Sequence, residues 1–129
     1  MKLYKIATIG TSLLFVFLFA QLFFTPDAFV GGMGLQATLA TSILCRRASI
    51  FMLGLSVLLF CVRKLPHSSA RQSVCFSTAI TMLGLACLSS FELARGTVNS
   101  SMWTAIILES LSAILFWIVF FKELKTKAA

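Results

Sequence analysis

The chain has 129 residues, 59% of them hydrophobic and 12% charged, with 13 phenylalanines and a mean hydropathy of +0.98. That composition excludes an ordinary soluble domain. At about twenty apolar residues per crossing, the length suits four spans and leaves nothing for a separate soluble domain. The formal net charge of +7 does not point to nucleic acid. The basic residues stand in short clusters beside apolar runs, which is the pattern that sets membrane orientation and attracts anionic headgroups, and no nucleic-acid-reading module is present.

Lys2 and Lys5 precede an apolar run expected to be helical over residues 6–24. The run is long for a signal-peptide core, and Leu18-Phe19-Ala20 lacks the small residue expected three positions before a cleavage site, so it reads as an uncleaved first helix. Thr8, Gly10 and Ser12 offer small packing positions, and Gln21 lies near the far end. Thr25-Pro26-Asp27 ends the helix. The stretch to Thr38, with Gly31, Gly32 and Gly34 and no basic residue, fits an external loop that touches the membrane through Phe29, Val30 and Met33.

The second helix is expected over residues 39–62. The uncharged run Ala48–Val62 is too short to span alone, so Arg46 and Arg47 fall inside the helix, about 10 Å below its external end at 1.5 Å per residue. A guanidinium stays charged, and inside a bilayer it requires a partner, water or a route to the headgroups. Arg47 shares a face with Ala40 and Gly54, small residues that suggest a bundle-facing stripe, whereas Arg46 is read as reaching back to the interface. Ser42 and Ser49 on the Arg46 side weaken that contrast.

Arg63 to Arg71 reads as a basic loop, placed in the cytoplasm with the amino-terminal lysines. The third helix is expected over residues 74–91. It repeats the Met-Leu-Gly-Leu of the second, which marks Gly54 and Gly84 as helix-packing positions. After a polar turn at Gly96–Ser101, the fourth helix is expected over residues 103–121, with Trp103 at an interface and Glu109 about two turns in. Lys122, Lys125 and Lys127 close the chain. The expected fold is all-α, a single domain over residues 1–129: a four-transmembrane-helix bundle with both termini cytoplasmic.

Cys45, Cys61, Cys75 and Cys87 form no C-x-x-C pair and read as small buried apolar residues. His67 reads as a solvated loop side chain. No metal site or cofactor is expected. Of the polar residues that remain, Arg46, Arg47 and Glu109 fall at similar depths and Gln21 nearer the external end, all in the outer half of the bilayer. A pair between Arg47 and Glu109 would fix helix register or line an outward-opening site for a polar headgroup or a small apolar molecule.

Pro26 before a glycine-containing loop, Arg47-Ala48 with Gly54-Leu55, the basic loop ending in Arg71, and Glu109-Ser110-Leu111 together resemble a family of small bacterial four-helix membrane proteins of unknown function, distantly DoxX-like. The resemblance implies a four-helix bundle in a bacterial inner membrane, with Arg47 and Glu109 as the family-matching polar positions. Two departures stand out. Ser49-Ile50-Phe51 replaces an expected glycine pair, and Leu88-Ser89-Ser90 stands where an arginine is expected.

The function expected from these residues is binding or transport of a small hydrophobic or amphiphilic molecule through an outer-leaflet Arg/Glu site. The alternative is a non-catalytic accessory or assembly subunit of a membrane complex. Membrane lipids, a small hydrophobic ligand, a membrane-protein partner or a second copy are the expected partners. No nucleophile with its base, metal cluster or phosphate loop marks an enzyme.

Overall fold

A computed structural model describes residues 2–128, with side chains through Lys125. It is all-helical: α1 (Lys2–Phe24), α2 (Pro26–Gly32), α3 (Leu39–Val62), α4 (Ser69–Ala94) and α5 (Met102–Ala128). α1, α3, α4 and α5 are each long and apolar enough to cross a membrane, which makes this a multi-pass membrane protein. Lys127 lies outside the described side chains.

The helix ends follow local chemistry. Pro26 starts α2 from the first-turn position, where its missing N–H costs nothing, so the expected external loop contains a short helix whose Pro26 and Val30 are buried. Thr38 and Thr41 form a capping box at the start of α3. Ser68 accepts the Arg71 N–H at the start of α4. That cap starts α4 five residues earlier than expected and draws Arg71 out of the basic loop into the first helical turn. Gly96, at φ +71°, ends α4 in the left-handed conformation, with its N–H on the Leu93 carbonyl. α5 runs on past Phe121 through the lysine segment, and α1 begins at Lys2, because long basic side chains at helix ends keep their charge in water while the backbone remains helical.

α3 packs along α1, and α4 along α5; α1 and α5 join the two pairs more sparsely. Hydrogen bonds fix the antiparallel register of α1 and α3: Tyr4 Oη donates to the Val62 carbonyl at 2.9 Å, and Ser12 and Ser56 each donate to the other's carbonyl at 2.9 and 2.8 Å. Reciprocal serine bonds of this kind draw two helices close where lipid offers no hydrophobic drive for association. The core runs through Ala7, Phe15, Leu59, Cys75, Met82, Ala113 and Phe116.

The start of α1, the end of α5 and the α3–α4 loop share one end of the bundle. That end holds all six lysines (Lys2, Lys5, Lys64, Lys122, Lys125 and Lys127), together with Arg63, Arg71 and the acid Glu123. We call it the basic end. At the far end Arg46, Arg47 and Arg95 are balanced by Asp27, Glu92 and Glu109. There the two helix pairs are tied by loop contacts. Asn99 Nδ2 and Ser101 Oγ donate to the Gly32 carbonyl at 2.8 and 2.9 Å, and the Asn99 N–H donates to the Met33 carbonyl at 2.9 Å.

Candidate functional site at the basic end

Among the described residues the buried charges are Arg71 and Glu123, only 1% and 3% exposed. Arg71 stands on the inward stripe of α4 with Cys75 and Ala79, whose small side chains leave room for a guanidinium. Glu123 stands on the buried face of α5 with Phe116, about two turns before it, and Val119, one turn before it. The Arg71 Nε and a Glu123 carboxylate oxygen form an ion pair. The guanidinium also lies over the Tyr4 ring, 4.0 Å from its centroid, and reaches the Leu65 carbonyl at 3.4 Å. His67 Nδ1 approaches the same carboxylate at 3.6 Å from a half-exposed position. α1, the α3–α4 loop, α4 and α5 therefore converge on one ion pair.

Beside this cluster lies a recess of about 140 Å³ lined by Leu3, Tyr4, His67, Arg71, Val119, Lys122 and Glu123. Its walls combine apolar stems with charged heads. Lys122 also borders a second, larger depression of about 360 Å³ on the outer face of α5, formed by Ile114, Trp117, Ile118 and Phe121 and closed at the basic end by Lys122 and Lys125. A polar recess and an apolar groove thus meet at one lysine. Nearby, Trp117 packs edge-on against Phe76 of α4, with 5.8 Å between ring centroids, which ties the groove's inner wall to the bundle.

The residues singled out from the sequence lie elsewhere. Among the described residues no ion pair joins Arg47 to Glu109. The packing explains why: α1 lies against both α3 and α5, and no comparable packing joins α3 to α5. Ser49, Ser56 and Leu59 define the buried face of α3. This reverses the expected orientation, because Arg47 is half a turn away on the outer face, while Arg46, which shares its side with Ser49, stands nearer the bundle. Both arginines are exposed. Glu109 is half-buried and accepts a hydrogen bond from Ser89 of α4 at 3.1 Å. Gln21 receives a long contact from Thr25, just past the end of α1, at 3.4 Å, and does not join the arginines.

Gly54 and Gly84 are exposed on outer faces where an added Cβ would meet nothing within 4 Å, so neither makes a close approach inside the bundle. Of the four cysteines only Cys75 is buried; Cys61 and Cys87 are exposed and Cys45 is intermediate. No group of three or more His, Cys, Asp or Glu among the described residues is placed to hold a metal.

The Arg71–Glu123–Tyr4 cluster escaped the sequence reading because Arg71 ends a polar run and Glu123 stands among lysines, where both look solvated. A signal was present. Arg71, Cys75, Ala79, Met82 and Ala86 recur at helical spacing behind a Ser cap, and Glu123 is the one acid near either terminus. Comparison of the chain with protein-family models, curated proteins and solved structures finds no match.

Proposed function

We propose that the chain binds an anionic amphiphile at its basic end, with the polar head at the recess and an apolar tail along α5. The observation that carries this is the shared position of Lys122, which borders both the charged recess and the apolar groove. Arg71 and Glu123 offset each other, so Lys122 and Lys125 leave the neighbourhood net positive and favour phosphate or carboxylate over a neutral head. The amphiphile anticipated from the sequence is retained, and its site moves from Arg47 and Glu109 to the opposite end.

The basic end is placed in the cytoplasm of a bacterial inner membrane. The support is the concentration of lysine at that end, together with the resemblance to small DoxX-like membrane proteins. Binding, rather than a chemical step, is the proposed activity.

Native mass spectrometry of the full chain from a mild detergent, with phosphatidylglycerol and phosphatidylcholine supplied in equal amounts, tests the reading. Retention of phosphatidylglycerol in preference, lost in Lys122→Gln/Lys125→Gln, is the expected result. Equal retention of the two lipids, or a preference that survives the double substitution, contradicts it.

A further inference from the structure

Arg46 and Arg47 are exposed within a helix long and apolar enough to span a membrane, and neither side chain has a hydrogen bond or ion pair among the described residues. Counted from Leu39 at 1.5 Å per residue, they lie about 10–12 Å below the far end of α3. Charges at such depth ordinarily face a bundle interior or a water-filled cavity and are paired there. Arg47 instead faces outward, between strongly exposed Leu44 and Phe51. Gly54, two turns deeper on the same face, has open space above its backbone.

The chain has four acidic residues, and none is available to this face. Asp27 is hydrogen-bonded by Ser42 near the start of α3. Glu92 pairs with Arg95 at 3.6 Å beside the far-end turn. Glu123 is buried at the basic end. Glu109 has the matching depth, about 10 Å below the start of α5. However, it lies on the inward face of α5 with Ala113 and Phe116, bonded to Ser89. A second copy therefore offers no outward carboxylate at the depth required.

We infer that the outer face of α3 around Arg47 docks a transmembrane helix of a different protein, one that carries a carboxylate at the depth of Arg47. The glycine position favours a helix over a lipid headgroup. A headgroup satisfies a guanidinium from above, whereas an open glycine two turns deeper admits the backbone of a neighbouring helix. The guanidinium then forms a bidentate pair with the partner's carboxylate in a low-dielectric setting, and the apolar side chains around it close the contact.

The test uses a synthetic apolar transmembrane peptide with one glutamate eight residues from its end, and the same peptide with glutamine there. Energy transfer from dye-labelled full-length chain to labelled peptide is followed in phosphatidylcholine vesicles. The glutamate peptide is expected to associate at least fivefold more strongly than the glutamine peptide. Arg47→Gln removes the difference, and Arg47→Glu transfers the preference to a lysine peptide. Gly54→Leu, which keeps the charge and fills the opening, weakens association with the glutamate peptide and serves even if the arginine variants do not fold. Equal association of the two peptides overturns the inference. So does Arg47-dependent association between copies of the chain, or loss of the glutamate preference when phosphatidylglycerol is added, since these assign the face to a second copy or to lipid.

Discussion

Replacing Glu123 by glutamine preserves the side chain's shape and removes the charge that balances Arg71. Breaking a buried ion pair from one side costs about 3–5 kcal/mol, because the remaining charge stays out of water. Here Arg71 keeps the Tyr4 ring at 4.0 Å and the Leu65 carbonyl at 3.4 Å. The aromatic contact alone is worth about 0.5–2 kcal/mol, and the adjoining recess offers water. The lower part of the range follows, about 3 kcal/mol, or roughly a hundredfold in the unfolding equilibrium. Unfolding of purified protein by sodium dodecyl sulfate, followed by tryptophan fluorescence or circular dichroism, measures it. The double variant Arg71→Met/Glu123→Leu removes both charges and is expected within about 1 kcal/mol of the original chain, since well-packed apolar residues replace buried pairs at little cost. A loss below about 0.5 kcal/mol in Glu123→Gln, or a double variant no more stable than the single, refutes the assignment of Arg71 and Glu123 as a coupled buried pair.

Ser12→Ala removes the donor to Ser56 and leaves that carbonyl in apolar surroundings. A loss of about 0.6–1.7 kcal/mol is expected, non-additive with Ser56→Ala in a double-mutant cycle measured by the same unfolding assay. Gly34 adopts φ +81° with Asn99 Cβ 3.4 Å from the position an added Cβ would take. Gly34→Ala should therefore cost about 1–2 kcal/mol for the left-handed backbone and speed amide exchange in the 32–34 and 99–101 turns. Gly54→Ala in the isolated chain should be neutral or stabilising by up to about 1 kcal/mol, because alanine is the better helix former and meets no neighbour. Equal losses at Gly34 and Gly54 would contradict the placement of both.

Hydropathy alone located the four crossings, because an apolar run of spanning length has few other uses. The ends of α3 matched the expectation because Thr38 caps its start and the basic Arg63-Lys64 pair follows its end. The other helix ends were less legible. Ser68 makes a cap inside what reads as a loop, and Pro26 can end one helix or begin another. The pairing expected between Arg47 and Glu109 is absent among the described residues for a related reason. Depth along a helix is read directly from residue count, and Arg47 and Glu109 stand eight and seven residues from the starts of α3 and α5. Lateral neighbours depend on which helices pack together, and α1 stands between α3 and α5. Orientation about the α3 axis also turned on one weak contrast. The small size of Gly54 suggests an inward position, whereas Ser49 and Ser56, whose hydroxyls bond to backbone carbonyls, are the inward ones. Polar side chains that satisfy themselves on nearby carbonyls can face a membrane protein's interior as readily as apolar ones.

Trp117 lies in the apolar groove that ends at Lys122 and Lys125, and Trp103→Phe would leave it as the sole tryptophan of the chain. In vesicles, quenching of Trp117 by brominated phosphatidylglycerol can be compared with quenching by brominated phosphatidylcholine at equal mole fraction. Each lysine near the surface contributes about 1 kcal/mol of attraction for an anionic head, so the anionic lipid should be preferred by up to about thirtyfold in relative association. The preference should collapse in Lys122→Gln/Lys125→Gln. Equal quenching by the two lipids, or an anionic preference indifferent to both lysines, would contradict binding of an anionic amphiphile at the basic end.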